Sequence, residues 1–149
     1  MAPSSILHDP RRGLVVFEDR AARGPLRCLR PGFRHCFCIL EHRLGWLVCD
    51  PLKSSMAIEV IEAYGTIELA RHLLSRGGRH VLVGTVAPER PVLPPLARPL
   101  TCVEIVKRLI GVTHAGIWTP RQLHRFLLAR RGWQAVPAAA TEPVDSDQS

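Results

Sequence analysis

The chain reads as one α+β domain, an antiparallel sheet of about five strands packed against a helix that carries a cysteine. Three observations predict this. Hydrophobic residues make up 46% of the sequence, which favours a packed globule over a disordered chain. The first half alternates apolar and polar residues in short runs separated by turns, the habit of hairpin-linked strands. The second half contains two segments that open with helix-capping signatures. A chain of 149 residues is long enough for one domain that buries roughly two thirds of its unfolded surface.

Residues 1–12 show no periodicity and are expected to be a flexible N-terminus, leaving 13–133 as the domain. A strand is predicted at "GLVVFED", 13–19, followed by the Arg-, Gly- and Pro-rich loop "RAARGPLRCLRPG". Strands at 33–41 and 45–51 follow, joined by a turn around His42 and Arg43, and "SMAIEVIE", 55–62, reads as a fourth. "TIELARHLLSRGG" reads as a helix capped by Thr66, with Ile67, Ala70, Leu73 and Leu74 on one face and Gly77-Gly78 at its end. The fifth strand is "RHVLVGTV", 79–86. "APERPVLPPLARP" carries five prolines in 13 residues and reads as an extended connector. "TCVEIVKRLIG" opens with a T-x-x-E capping box at Thr101 and Glu104 and stops at Gly111. A last helix begins at Thr119-Pro120, where Gln122 completes a second box. Residues 134–149 lose periodicity and are expected to be a disordered tail.

The net charge is +7, and Glu142, Asp145 and Asp147 lie in the last eight residues. Without them, 20 basic groups face 10 acidic ones, so the folded body is strongly basic and suited to anionic surfaces: a cell-wall polymer, anionic lipid or nucleic acid. No run of 18 apolar residues exists, so no membrane span is expected. "MAPSSILHDPRRG" lacks an apolar core behind a basic start, so no secretory signal is expected and a cytoplasmic location is the default, with association with a phage as the other expectation. The odd set of five cysteines, Cys28, Cys36, Cys38, Cys49 and Cys102, favours reduced thiols over a disulfide framework. No cofactor is expected. A zinc site on Cys28, Cys36, Cys38 and Cys49 is disfavoured by C-x-C spacing on a strand. The histidines other than His35 show no ligand spacing and are expected at the surface or an interface.

The chemistry concentrates on three residues. Cys102 lies at the first turn of its helix, where the helix dipole favours thiolate over thiol. Its helix places Cys102, Ile105, Val106, Leu109 and Ile110 on one face. If the hairpin turn centres between His42 and Arg43, His35 lies opposite Asp50, and Cys36 opposite Cys49, on neighbouring strands. A carboxylate there would fix the tautomer of the imidazole and favour its charged form. His35 and Asp50 would share a face with Phe37, Ile39, Trp46 and Val48. Packing of the Cys102 stripe on that face would assemble the parts of a Cys–His–Asp nucleophilic site. The bland readings are a packed, inert Cys102, a structural His35 held by Asp50, and an Asp50 that only opens a turn at Pro51.

"FRHCFCILEHRLGWLVCDP", "LTCVEIVKRLIG" and "IWTPRQLHRFL", in that order, resemble the circularly permuted branch of the papain-like, NlpC-type cysteine hydrolases. Lecithin retinol acyltransferase-like proteins and many small bacterial and phage proteins belong to that branch. The resemblance covers roughly residues 33–127. It rests on His35 on its strand, Cys102 and Glu104 opening a helix, and Thr119, Pro120 and Leu123 opening the next. It implies a permuted papain-like fold in which the histidine strand precedes the cysteine helix. It also implies a thiol-dependent hydrolase or acyltransferase acting on an amide, ester or thioester, cell-wall peptide among them. The chain departs from the branch at Cys36 and Phe37, where a small residue and a glycine are usual, and Asp50 is assigned from strand pairing alone. Two other classes stay open: a structural or assembly protein of phage type that keeps the fold without the chemistry, and a basic nucleic-acid-binding module.

Overall fold

The computed structural model describes residues 10–20, 24–52, 55–62, 64–86 and 100–138. The expected N-terminal segment before residue 10, the proline-rich connector at 87–99 and the tail beyond 138 lie outside them. The elements run β1 (Arg11–Glu18), a short 3-10 turn (Gly24–Cys28), β2 (His35–His42), β3 (Gly45–Pro51), β4 (Met56–Ile61), α1 (Thr66–Ser75), β5 (Gly78–Val86), α2 (Cys102–Leu109), α3 (Pro120–Ala129) and β6 (Trp133–Ala135). The strands form one open antiparallel sheet in the order β4-β3-β2-β1-β5-β6. The architecture is therefore α+β, with six strands where about five were expected.

The extra strand comes from the segment expected to begin a disordered tail. Gln134 and Ala135 pair with Val83 and Leu82, and Val136 is buried and donates its N–H to the Val81 carbonyl at 2.9 Å. Three residues are too few to display a period. What anchors them is tertiary: a methyl group at Gly84 would overlap the Trp133 ring, so the missing side chain on β5 makes the seat for β6.

Alternation along the strands separates two cores. Phe37, Ile39, Trp46, Leu14, Val16, Val81 and Val83 face α1, which buries Leu69 and Ala70. Ile67, expected on that buried face, is exposed, and Leu73 and Leu74 complete the contact. The N-cap of α1 is Gly65, whose N–H donates to Glu68 Oε2 at 3.3 Å; Thr66 is already inside the helix and accepts from Arg12. On the other face Val15, Phe17, Cys36, Cys38, Cys49 and Leu82 pack against Val103, Val106 and Ile110 of α2 and Leu123 and Leu127 of α3. The buried stripe of α2 thus turns on Val103, Val106 and Ile110, while Cys102 is half-buried beside it.

The register of the central hairpin differs from expectation by two residues. Cys38 faces Cys49 and His42 faces Gly45, so the turn is Arg43-Leu44, and Cys36 does not oppose Cys49. Neither residue carries turn chemistry, which is why the sequence misleads here. Gly45 opens β3 by pairing with His42; its φ is +130°, and a Cβ there would strike the Ile61 carbonyl, so the position is closed to a side chain. A shift of two keeps every residue on its expected face, whereas a shift of one would have reversed them all. No helix among the described residues is long and apolar enough to cross a membrane.

Candidate active site

Cys102 begins α2 because Thr101 stops the preceding chain: its side chain accepts from the Glu104 N–H at 3.3 Å. The Glu104 carboxylate is taken up by Lys107 Nζ at 3.0 Å and Arg108 Nε at 3.3 Å. With the first turn held this way, the Cys102 sulfur sits at the positive end of the helix.

His35, the first residue of β2, approaches that sulfur from the end of its strand. The expected packing of α2 on the His35 face does not occur, since α2 covers the Cys36 face. The groups meet because both elements begin at the same end of the sheet, and there the imidazole and the sulfur each favour the other's charged form. The His35 Nε2 lies 2.8 Å from Asp50 Oδ1. Continuing the observed register, Asp50 stands beside Phe37, so it reaches His35 along the diagonal of the pair, not straight across. Cys102, His35 and Asp50 are therefore brought together, by a different register and a different helix face from those expected.

Two neighbours were not anticipated. The Arg20 guanidinium grips Asp50 with two nitrogens, at 2.7 Å and 3.3 Å, and bonds Glu18 Oε1 at 3.0 Å through Nε. Glu18 in turn pairs with His35 across β1 and β2. A fork of this kind fixes a carboxylate plane better than a lysine would. Arg20 lies in a loop with no periodic signal, and only a three-dimensional arrangement could have found it. The second neighbour is Cys36, a buried residue of the cluster against which Cys102 packs, which favours the charged form of the Cys102 sulfur.

These contacts set the charges. The Cys36 thiol does most to stabilise the Cys102 thiolate; burial opposes it, and the His35 bond, the Cys36 N–H and the imidazolium charge bring Cys102 down to about 4. For His35, burial works against the charged form, yet the bonds to Cys102 and Asp50 and the nearby sulfur charge outweigh it and hold the ring above its ordinary value of 6.5. A Cys102 held towards its thiolate, beside a His35 whose charged form is favoured and which a carboxylate bonds, is the arrangement that follows.

Elsewhere, Cys36, Cys38 and Cys49 share the face opposite Phe37, as read from the alternation, while Cys28 is exposed in the 3-10 turn. Among the described residues no group of three or more His, Cys, Asp or Glu is placed to hold a metal ion. His80 is exposed, as expected, and His124 is half-buried. They gather with Phe33, at ring-centroid distances of 4.6 Å and 5.0 Å, and burial followed by the His80 charge keeps His124 below its usual value.

Among protein-family models, curated proteins and solved structures, none matches this chain.

Proposed function

We propose that the protein is a thiol-dependent hydrolase or acyltransferase of the circularly permuted papain-like type, with Cys102 as nucleophile, His35 as acid and base, and Asp50 as the group that orients His35. The observation that carries this reading is the His35 Nε2–Asp50 contact at 2.8 Å at the start of β2, beside a half-buried Cys102 whose charged form His35 favours. The order of elements, histidine strand before cysteine helix, supports the permuted form.

In this reading the Cys102 thiolate attacks the carbonyl carbon of an amide, ester or thioester. The developing oxyanion lies at the start of α2, where the free amides of the first turn offer hydrogen bonds. The His35 imidazolium gives its proton to the departing amine, alcohol or thiol, leaving an acyl-thioester on Cys102. Neutral His35 then takes a proton from water, or from an acceptor alcohol or amine, which attacks the thioester and releases Cys102. Asp50 stabilises the charged ring at both proton transfers without taking the proton itself. Arg20 holds Asp50 in plane. The basic body suits an anionic polymer substrate, cell-wall peptide included.

The test compares wild type with Cys102→Ala and His35→Ala on a panel of acyl substrates. Loss of turnover in both variants, with folding unchanged by circular dichroism, is the expected result. Equal turnover in all three proteins overturns the reading.

A further inference from the structure

We propose that two copies of this chain associate edge to edge through β4, so that two sheets become one. β4 is the outer strand at one end of the sheet, and among the described residues it pairs only with β3. Its outer side therefore carries a row of backbone N–H and C=O groups that another strand can bond. Natural edges are blunted by brevity, a lysine, a proline or a bulge. The opposite edge, β6, has three residues. β4 has six, contains no lysine, proline or glycine, and keeps an unbroken register with β3. Met56, Ile58 and Val60 stand on one face of it, with exposures of 40%, 64% and 53%. Ile58 and Val60 oppose Cys49 and Leu47, so this is the face that α2 covers further into the sheet and leaves uncovered on β4.

The occupant is a second copy because β4 complements itself. Directly opposed residues of an antiparallel pair share a face, so the apolar strips of two copies meet only where even-numbered residues oppose even-numbered ones. With the two-fold axis at Ile58, Ile58 faces its counterpart, Met56 faces Val60 in both directions, and Ala57 faces Glu59. Every side chain of the strip is then matched, and no carboxylate meets its twin. An axis at Glu59 would set Glu59 against Glu59, which is unfavourable, and an axis at Ala57 would leave Val60 outside the matched strip. The two-fold arrangement uses up the β4 edge of both copies and closes at two. The net charge of +7 on each copy opposes association, so the apolar strip supplies the attraction and salt, by screening the repulsion, favours the dimer. One strand is a small patch among stable interfaces, so monomer and dimer exchange with concentration. Asp50 opposes Ala57, and the dimer therefore sets the two Asp50 residues three strand spacings apart, about 14 Å across the sheet.

The experiment measures the mass of the whole chain by sedimentation equilibrium, from micromolar concentration to about 0.1 mM, at low and high salt. The mass is expected to rise from 16.6 kDa towards twice that value, and to do so at lower concentration when salt is added. Ile58→Lys, and Val60→Lys should the first variant fail to fold, is expected to stay at the monomer mass with an unchanged circular dichroism spectrum. Leu128→Lys, at an exposed position on α3, is expected to dimerise as wild type does. Ile58→Cys under mild oxidation is expected to give a disulfide between two copies of the peptide that contains residue 58, reversed by dithiothreitol and mapped by mass spectrometry. A monomer throughout the range, which would leave the edge to an extended peptide or to another segment of the chain, overturns the proposal. So does a dimer that survives Ile58→Lys, a dimer of Ile58→Cys without the symmetric cross-link, or an association that weakens as salt is added.

Discussion

At Cys102 two neighbours, Cys36 and His35, favour the charged form of one sulfur. Anion stabilisation by neighbours, against the cost of burial, lowers this thiol further than Cys49, and its half-buried position leaves it open to reagents. Its rate of alkylation by iodoacetamide is expected to rise through an acid limb near 4 and to be nearly flat across neutral pH. In His35→Ala the limb moves up towards the ordinary thiol range, because a donor and a positive charge are both removed. Peptide mapping of the alkylated site checks this, since Cys49, also lowered by its Cys38 donor, is 3% exposed and should react slowly. At this scale the sequence was informative. Helix-start position singled out Cys102, and face alternation placed His35 with Asp50. It was silent on Arg20 and on the donor role of Cys36, because both depend on which ends of distant elements coincide.

At the scale of elements, α2 joins a site to an unusual piece of core. Lys107 is 2% exposed, bonded to Glu104 at 3.0 Å and within 3.5 Å of the Ile117 carbonyl. Removing one partner of a buried pair strands the other, so Glu104→Ala is expected to lower unfolding free energy by about 3–5 kcal/mol. Lys107→Met replaces the charge with an apolar side chain of similar length and is expected to cost far less, about 1 kcal/mol or nothing. Urea denaturation of the two variants checks the contrast. The caps of α2 and α3 were legible because capping is local: Thr101 and Thr119 accept from Glu104 and Gln122 as their spacing predicts. Register was not. The Arg43-Leu44 turn gives no chemical signal, although the strand itself was expected at 45–51 and runs from Gly45 to Pro51. The face of α2 was also misjudged, since Val103 outcompetes Cys102 for the core once the sheet is in place.

Across the whole molecule, folding and the site's protonation are linked. Cys102 falls from an ordinary 9.0 to about 4 in the folded protein. Its contribution to stability is therefore complete above about 9, shrinks as pH falls, and is lost below about 4. His35 is raised from 6.5, so its contribution is complete below that value and disappears as pH rises through the folded value. The difference in urea midpoint between wild type and Cys102→Ala is expected to narrow steadily from pH 9 towards 4. A constant difference would contradict the linkage. Fold class was readable from alternation and caps. The strand order was not, because placing β1 between β2 and β5 requires pairings between segments more than 60 residues apart, such as Arg11 with Val86, and no local pattern encodes them.

The order of the chain has a consequence for its birth on the ribosome. Imidazole and acid emerge with β2 and β3, well ahead of the sulfur on α2, and until residue 102 leaves the exit tunnel no reactive pair exists. The three groups thus stay apart while β1 to β5 are being made, and they come together only after α2 has followed.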